Sequence, residues 1–310
     1  YALATVDQQS GSIQVHRLVQ AAVREWLGED RERRERTQRQ AQLVLAGALP
    51  SAAFAEDSTT VRERFAELLP HLEPSEALLN TDARVCEWVI RQVRNQWRIG
   101  DHRAAAALGQ KALSAWTDSL GPDHHLRLRL AAQVANPLRS LGRYQEAHAL
   151  DADTLRRQRE QLGEDDGYTL MTARNYGGDL RGLGRYQEAF DEDAKTYELY
   201  RNSPHFGPDH EDTLRAAHNL GVSLILAGKP AEALERATET YQRSRQALGI
   251  KHRLTWAFAV SAALDRRETG DYQGALDLLI EIRKRFVALL KDEKSDDVLS
   301  TDASLAVTQR

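Results

Sequence analysis

Gly142-Arg143-Tyr144-Gln145-Glu146-Ala147 returns unchanged as Gly184-Arg185-Tyr186-Gln187-Glu188-Ala189. It returns again, altered, as Gly228-Lys229-Pro230-Ala231-Glu232-Ala233 and as Gly270-Asp271-Tyr272-Gln273-Gly274-Ala275. A degraded copy, Gly100-Asp101-His102-Arg103-Ala104-Ala105, precedes them, and the five glycines are spaced by 42, 42, 44 and 42 residues. A second marker keeps the same beat: Leu120-Gly121-Pro122-Asp123-His124, Leu162-Gly163-Glu164-Asp165, Phe206-Gly207-Pro208-Asp209-His210 and Leu248-Gly249-Ile250-Lys251-His252. Self-similarity at a fixed period decides the architecture before any single residue does. The two extra residues fall between Gly184 and Gly207, and the Asn202-Ser203-Pro204 stretch is where they are expected.

A period near 42 suits propeller blades as well as long helical repeats, so the stretches between markers decide. From Asp212 to Leu226, the residues Leu214, Ala217, His218, Gly221, Leu224 and Ile225 fall at three-and-four spacing, and β-branched alternation is absent. Each unit therefore reads as two antiparallel helices. The Gly-x-Tyr turn joins the first helix to the second, and the Gly-Pro-Asp-His loop leads onward with Asp and Thr as candidate N-caps. Ala105, Ala147, Ala189, Ala233 and Ala275 share one site on the second helix, and Ala135, Gly177, Gly221 and Ala263 share one on the first. Small residues there let the two helices approach closely. Tyr144, Tyr186 and Tyr272 are expected to fill the space beside the turn.

Composition agrees with a soluble repeat protein. The 310 residues are 41% hydrophobic, and no apolar run nears the roughly 18 residues of a spanning helix. No basic start leads into an apolar stretch, so the reading is cytosolic, with no membrane partner. The single cysteine, Cys86, excludes an internal disulfide framework and a multi-cysteine metal site. A net charge of -4 leaves no whole-protein footprint for nucleic acid.

A small residue, Gly-x-Tyr and then Glu-Ala is the tetratricopeptide pattern. With its 42-residue period and Leu-Gly-Pro-Asp-His loop, the array resembles the longer-helix repeats of kinesin light chain. The resemblance covers residues 82 to 310 and implies an all-α, right-handed superhelical solenoid whose first helices line a concave groove. The fold hosts many partners, so it names none.

The chain ends read differently. Tyr1 to Val6 alternates like a strand, Asp7 to Ser12 is turn-rich, and Ile13 to Val15 suits a returning strand. The run from Val15 to Arg24 then resembles the end of the winged-helix module that follows the ATPase core in bacterial NB-ARC–tetratricopeptide proteins. That implies a fragment of a longer signalling NTPase, with the upstream ATPase domain missing. The chain itself has no G-x-x-x-x-G-K-[ST] loop, since Gly228-Lys229 is followed by Pro230. The expected organisation is residues 1–28 as a winged-helix remnant, 29–80 as a helical bridge and 81–310 as the array. Helices are expected over 30 to 49 and from Val61 to Leu72. Asp296 to Arg310 reads as a first helix lacking its second, either cut short or acting as a cap. Ala66-Glu67-Leu68-Leu69-Pro70-His71-Leu72, Arg91-Gln92-Val93-Arg94 and the Arg-x-Leu-Gly turns also resemble an actinobacterial branch. There the tetratricopeptide protein accompanies short peptides ending FxSxx-COOH and a radical SAM enzyme, which implies an accessory role in peptide maturation.

Counting back from each turn glycine locates candidate binding residues. Nine before come Arg91, Gln133, Asn175, Asn219 and Ser261. A carboxamide offers donor and acceptor, which suits an extended peptide backbone. In the light-chain family, asparagines at this position ladder along the bound peptide. Asn175 and Asn219 match, Gln133 substitutes, and Arg91 and Ser261 depart. The competing reading is that these amides only tie adjacent helices together. Thirteen before come Arg129, Met171 and Arg215, ten before come Arg174 and His218, and three before come Trp97, Arg139, Arg181 and Arg267. Arginine binds carboxylates in a bidentate fork, so these point to an acidic segment or a free C-terminal carboxylate. The alternative is a solvated face in an arginine-rich protein.

Catalytic and metal readings are weaker. His124, His210 and His252 recur once per repeat and so cannot converge on one ion; helix capping suits them better. His16 reads as a packing residue and Cys86 as a buried, inert thiol. Trp88 and Trp116 read as core, and Trp97 as core or as an aromatic ligand contact. The sequence thus predicts a non-enzymatic protein or peptide binder that needs no cofactor or metal. Its alternative is the ligand-sensing arm of an NB-ARC-type switch.

Overall fold

The computed structural model describes residues 3–7, 12–28, 30–51, 59–291, 293 and 295–309, and every statement below concerns these. They form fourteen α-helices and one two-stranded hairpin, in two compact units. The first unit comprises residues 1–100 and 107–127; the second comprises 101–106 and 128–310.

In the first unit, β1 (Ala4–Asp7) pairs antiparallel with β2 (Ser12–Val15), Ala4 facing Val15. The expected strands are present, shifted by a few residues; Tyr1 and the turn at 8–11 lie outside the described residues. α1 (Arg17–Gly28) buries none of its side chains. α2 (Arg31–Gly47), capped by Asp30, and α3 (Thr59–Leu68) with its 3-10 extension Leu69–His71 lie near the helices expected over 30–49 and 61–72. Here the long bridge helices are held by side chains reaching backbone: Gln42 Nε2 donates to Ser75 O at 2.6 Å and Gln92 Nε2 to Phe65 O at 3.3 Å. α4 (Ala83–Arg98) supplies the core through Val85, Trp88, Val89 and Val93, all fully buried. Trp116, on α5 (His102–Leu120), is equally buried and donates Nε1–H to Leu78 O at 3.0 Å. Its ring and its polar tip are both satisfied, as a core tryptophan requires.

The second unit is built from helix pairs: α6 (His125–Ser140, from Leu128 on) with α7 (Tyr144–Leu162), α8 (Gly167–Gly182) with α9 (Tyr186–Asn202), α10 (Glu211–Leu226) with α11 (Pro230–Ala247), and α12 (Arg253–Glu268) with α13 (Tyr272–Leu290). α14 (Asp296–Thr308) packs on α13 and sets Val298 beside Trp256 and Phe286. Each pair reverses at its repeat glycine, at φ of 73°, 74°, 76° and 91° in Gly142, Gly184, Gly228 and Gly270. The bonds are those of a Schellman turn: Gly184 N–H to Arg181 O at 3.0 Å and Arg185 N–H to Leu180 O at 2.9 Å, repeated at the other three. A Cβ would be strained there, which explains the invariant residue. The shared alanines Ala147, Ala189, Ala233 and Ala275 are fully buried, as are Ala135 and Ala263 opposite.

Two expectations are corrected in detail. Thr does not cap: Asp166 caps α8 and His210 caps α10, because carboxylate and imidazole nitrogens reach the second and third amides, while Thr169 and Thr213 turn inward. Only Tyr144 packs beside its turn, against Gly182, where an added Cβ would collide with the ring. Tyr186 and Tyr272 stay 41% and 60% exposed, since Leu226 stands where Gly182 would leave room for Tyr186. The two-residue insertion does fall after Asn202, lengthening the loop to α10.

Two glycines at one repeat position give an opposed pair of predictions. A Cβ at Gly177 would overlap the buried Asp193 carboxylate, whereas one at Gly221 meets only Arg236 Cγ at 3.9 Å. Gly177→Ala should destabilise by about 1–3 kcal/mol despite its better helix propensity. Gly221→Ala should stabilise by about 0.5–1 kcal/mol. Thermal unfolding of the two variants side by side reads the signs.

Candidate peptide-binding groove

The first helices of successive pairs touch one another, α8 with α10 and α10 with α12, and form one layer of the second unit. On this layer Gln133, Asn175, Asn219 and Ser261 occupy one position on α6, α8, α10 and α12, and all four are half-buried. The Asn219 amide donates to Arg174 O at a long 3.5 Å, and Ser261 Oγ lies 3.2 Å from His218 Nδ1. Among the described residues the Gln133 and Asn175 carboxamides have no intramolecular partner. Arg91 belongs to the first unit, where it donates to Pro50 O at 2.8 Å and lies over the Phe65 ring.

The arginines divide into two sets. Arg129 stacks 5.0 Å from the Tyr168 ring centroid, Arg174 pairs with Asp212 at 2.8 Å, and Arg215 pairs with Glu211 on its own helix at 2.8 Å. Arg215 is 41% exposed, so its pair is cheap to exchange for a ligand carboxylate. Arg139 and Arg181 are engaged inward. Arg139 bonds Asp179 on the next first helix, Asp151 Oδ2 at 3.4 Å, Asn175 O at 3.2 Å and Asn136 Oδ1 at 3.0 Å. Arg181 bonds Asp193 and, at 3.0 Å, Ser223 Oγ, which itself donates to Asp193 at 2.6 Å. Asp151, Asp179 and Asp193 are no more than 1% exposed. Burial pushes all three carboxyls above their ordinary range, against the pull of the neighbouring guanidinium.

These clusters repeat. An arginine three before the glycine meets an aspartate nine after it and a polar residue five before the next glycine. At the following interface the corresponding residues are Ile225, Ala237 and Asp265. Only the carboxyl remains there, 8% exposed, and burial with nearby Glu268 pushes it up to about 6. His218, in the same region, is pulled down to about 4 by burial and by Arg181 and Arg215. Sequence reasoning found the arginines and missed their acids, although counting acids from the glycine would have shown Asp151 and Asp193, then Asp179 and Asp265, at shared offsets.

The remaining candidates are structural. His124 Nδ1 accepts from Leu126 N at 3.3 Å, His210 Nδ1 from Asp212 N at 3.1 Å and His16 Nδ1 from Leu18 N at 3.2 Å. His252 departs from the capping role: its side chain accepts no cap bond and faces Glu211 at 3.7 Å. Among the described residues no three His, Cys, Asp or Glu side chains converge to hold a metal ion. Cys86 is fully buried, and burial pushes its thiol up to about 12, which makes it inert. Trp88 is core, and Trp97 is half-buried. No helix among the described residues is long and apolar enough to cross a membrane.

Residues 131–202 and 168–246 each match the tetratricopeptide repeat family. Over residues 131–246 the helix pairs match tetratricopeptide repeats. No curated protein sequence matches the chain. Among solved structures, the chain resembles a Podosopora anserina kinesin-light-chain-type protein of nearly identical tetratricopeptide-like repeats. The two share 19% identity at a TM-score of 0.56, covering 66% of this chain and 95% of that one. It also resembles BtubC (BKLC) from P. vanneervenii, at 13% identity and a TM-score of 0.56, over 83% of this chain and 94% of that one. A third likeness is to a Rap protein complexed with Competence and Sporulation Factor, at 14% identity and a TM-score of 0.51, over 80% of this chain and 69% of that one. At such identities these likenesses speak for the fold, a tetratricopeptide solenoid of the kinesin-light-chain kind.

The buried charges yield two predictions. Arg181→Met strands the Asp193 carboxyl and should cost about 3–5 kcal/mol, while Arg185→Met, at an exposed pair with Glu188, should leave the unfolding midpoint in place. The second concerns acid. Asp265, raised from 3.8 to about 6 in the folded state, adds stability as pH falls from about 6 to about 4. His218, lowered from 6.5 to about 4, removes stability over nearly the same window, because the unfolded chain takes up that proton first. The two slopes oppose. Asp265→Asn should therefore unfold at a higher temperature near pH 7 but lose stability more steeply on acidification, and His218→Gln should lose it less steeply. Thermal midpoints from pH 4 to 7.5 check both.

Proposed function

We propose that the tetratricopeptide array is a non-enzymatic receptor that holds an extended peptide along its inner layer. The observation that carries this reading is the row of half-buried carboxamides on the first helices of successive pairs, Gln133, Asn175 and Asn219, of which the first two have no partner among the described residues. Each can donate to and accept from a peptide backbone without regard to its sequence. Arg129, Arg174 and Arg215 supply positive charge beside that row and take acidic side chains or a terminal carboxylate, exchanging their present partners for the ligand's. Arg139 and Arg181 are positioning residues: they lock one repeat to the next and, through Arg139 and Asn175 O, hold the helix that carries the middle amide. The Rap protein solved with Competence and Sporulation Factor supports the reading, since a similar fold there carries a factor.

A second reading, the sensing arm of a signalling NTPase, is favoured by one observation. α1 leaves Leu18, Val23 and Trp26 at 74%, 46% and 54% exposure, an apolar face suited to an adjoining domain. The two readings combine if the peptide is what the arm senses.

Selection of a random displayed peptide library on the protein tests the first reading. Enriched peptides should carry acidic residues or depend on a free C-terminus, and bind more weakly as salt rises. The Gln133→Ala/Asn175→Ala/Asn219→Ala variant should bind them at least about ten-fold more weakly, at roughly 0.5–1.5 kcal/mol per lost hydrogen bond, with its unfolding midpoint kept. Equal binding by that variant removes the groove from the function.

A further inference from the structure

The interface between the α10–α11 pair and α12 is hollow. A cavity of about 250 Å³ opens there, lined by Ile225, Ala237, Phe258, Leu264 and Asp265 among others. It stands where the two preceding interfaces hold a guanidinium. Arg139 fills that place beside Asp179, and Arg181 fills it beside Ser223 and Asp193. Here the arginine is Ile225, which cannot reach across as a cation, and the second-helix aspartate is Ala237. Gly221 adds to the space, since no atom but Arg236 Cγ lies within 4 Å of its would-be Cβ.

Asp265 is left without a counter-ion. It is 8% exposed, and among the described residues its carboxyl makes no hydrogen bond or ion pair. Every other polar group at the cavity is committed. Ser261 Oγ meets His218 Nδ1, Thr240 Oγ1 donates to Arg236 O at 2.7 Å, and Arg267 turns to Glu268 at 3.0 Å. A buried carboxyl without a partner is costly, and the cost is relieved by a cation that brings its own donors. The walls are apolar and include the Phe258 ring, which suits an alkyl stem and a flat cationic head. The volume of about 250 Å³ admits one side chain.

We propose that this cavity is a receptor site for an alkylguanidinium group, with Asp265 as its carboxylate partner. The site supplies from outside the guanidinium that the chain supplies for itself at the two preceding interfaces. His218 and Ser261 place the cavity beside the amide row, so an arginine of the bound peptide is the natural source. On that point the inference rests on the groove reading; the site itself rests on the cavity alone.

Titration with n-butylguanidinium, followed by methyl NMR of Val222 and Leu264, tests it. Saturable shifts with a dissociation constant on the order of millimolar are expected for so small a probe. n-Butylurea, the same shape without charge, should bind at least about ten-fold more weakly, and Asp265→Asn should lose about ten-fold or more for butylguanidinium. Ile225→Arg supplies the missing group internally and should raise the unfolding midpoint while removing the response at both methyls. The absence of saturable shifts in the unmodified protein overturns the proposal, as does equal binding of the urea. So does an Ile225→Arg protein that still binds. Tighter binding of Ac-Ala-Arg-Ala-NH2 than of butylguanidinium assigns the group to a peptide, and no gain assigns it to a small free guanidine. The Gln133→Ala/Asn175→Ala/Asn219→Ala variant should keep its butylguanidinium response, so failure of the groove and failure of the cavity are read separately.

Discussion

One backbone conformation sets the register of the whole array. At each first-helix end the chain passes through the left-handed region at a glycine, and the Schellman bonds around it fix where the second helix begins. Every side chain that matters can be counted from that residue. Three before Gly142 and Gly184 lies the guanidinium that reaches the next repeat, nine before Gly142, Gly184 and Gly228 the carboxamide, and five after each glycine the alanine that admits the neighbouring helix. A side chain at the glycine would strain the turn and shift all of these together.

The charged residues show how such a register is used. An arginine on the inner helices looks, from composition, like a ligand-binding cation. In the folded array Arg139 and Arg181 instead find aspartates within their own repeat and polar groups about 40 residues on, and their neighbours Arg174 and Arg215 form lighter pairs nearer the surface. Removing the guanidinium from such a buried carboxyl leaves an uncompensated charge and is strongly destabilising. The clusters therefore clip one repeat to the next, and Arg139 also bonds the backbone oxygen of Asn175.

The fold was legible in the sequence because it rests on local, repeated features: a glycine that only one backbone shape explains, alanines at a fixed offset, and helical spacing between. The hairpin and the bridge helices were legible too, with boundaries shifted by a few residues. The site was legible in part. Counting gave Gln133, Asn175 and Asn219 the same position on α6, α8 and α10, where all three are half-buried. What counting could not supply was the fate of each arginine, since pairing across repeats depends on how two helices pack and not on the helix that bears the charge. His252 failed as a cap for a similar reason, because Glu211 lies within reach of its ring. Tyr186 was misjudged because the room beside a turn belongs to the following repeat, where Leu226 replaces a glycine.

In a linear repeat array, stability is close to a sum of nearest-neighbour contacts. Two joints in the second unit carry a buried ionic clip, and the next carries a cavity and a solitary acid. Such an array has a built-in seam: under heat, denaturant or pull, the segment from α12 onward parts from the rest before the clipped repeats yield. Cooperativity then ends at that seam. The three helices α12 to α14 can loosen and reseat as a unit of their own, and whatever fills the seam makes the two segments melt as one.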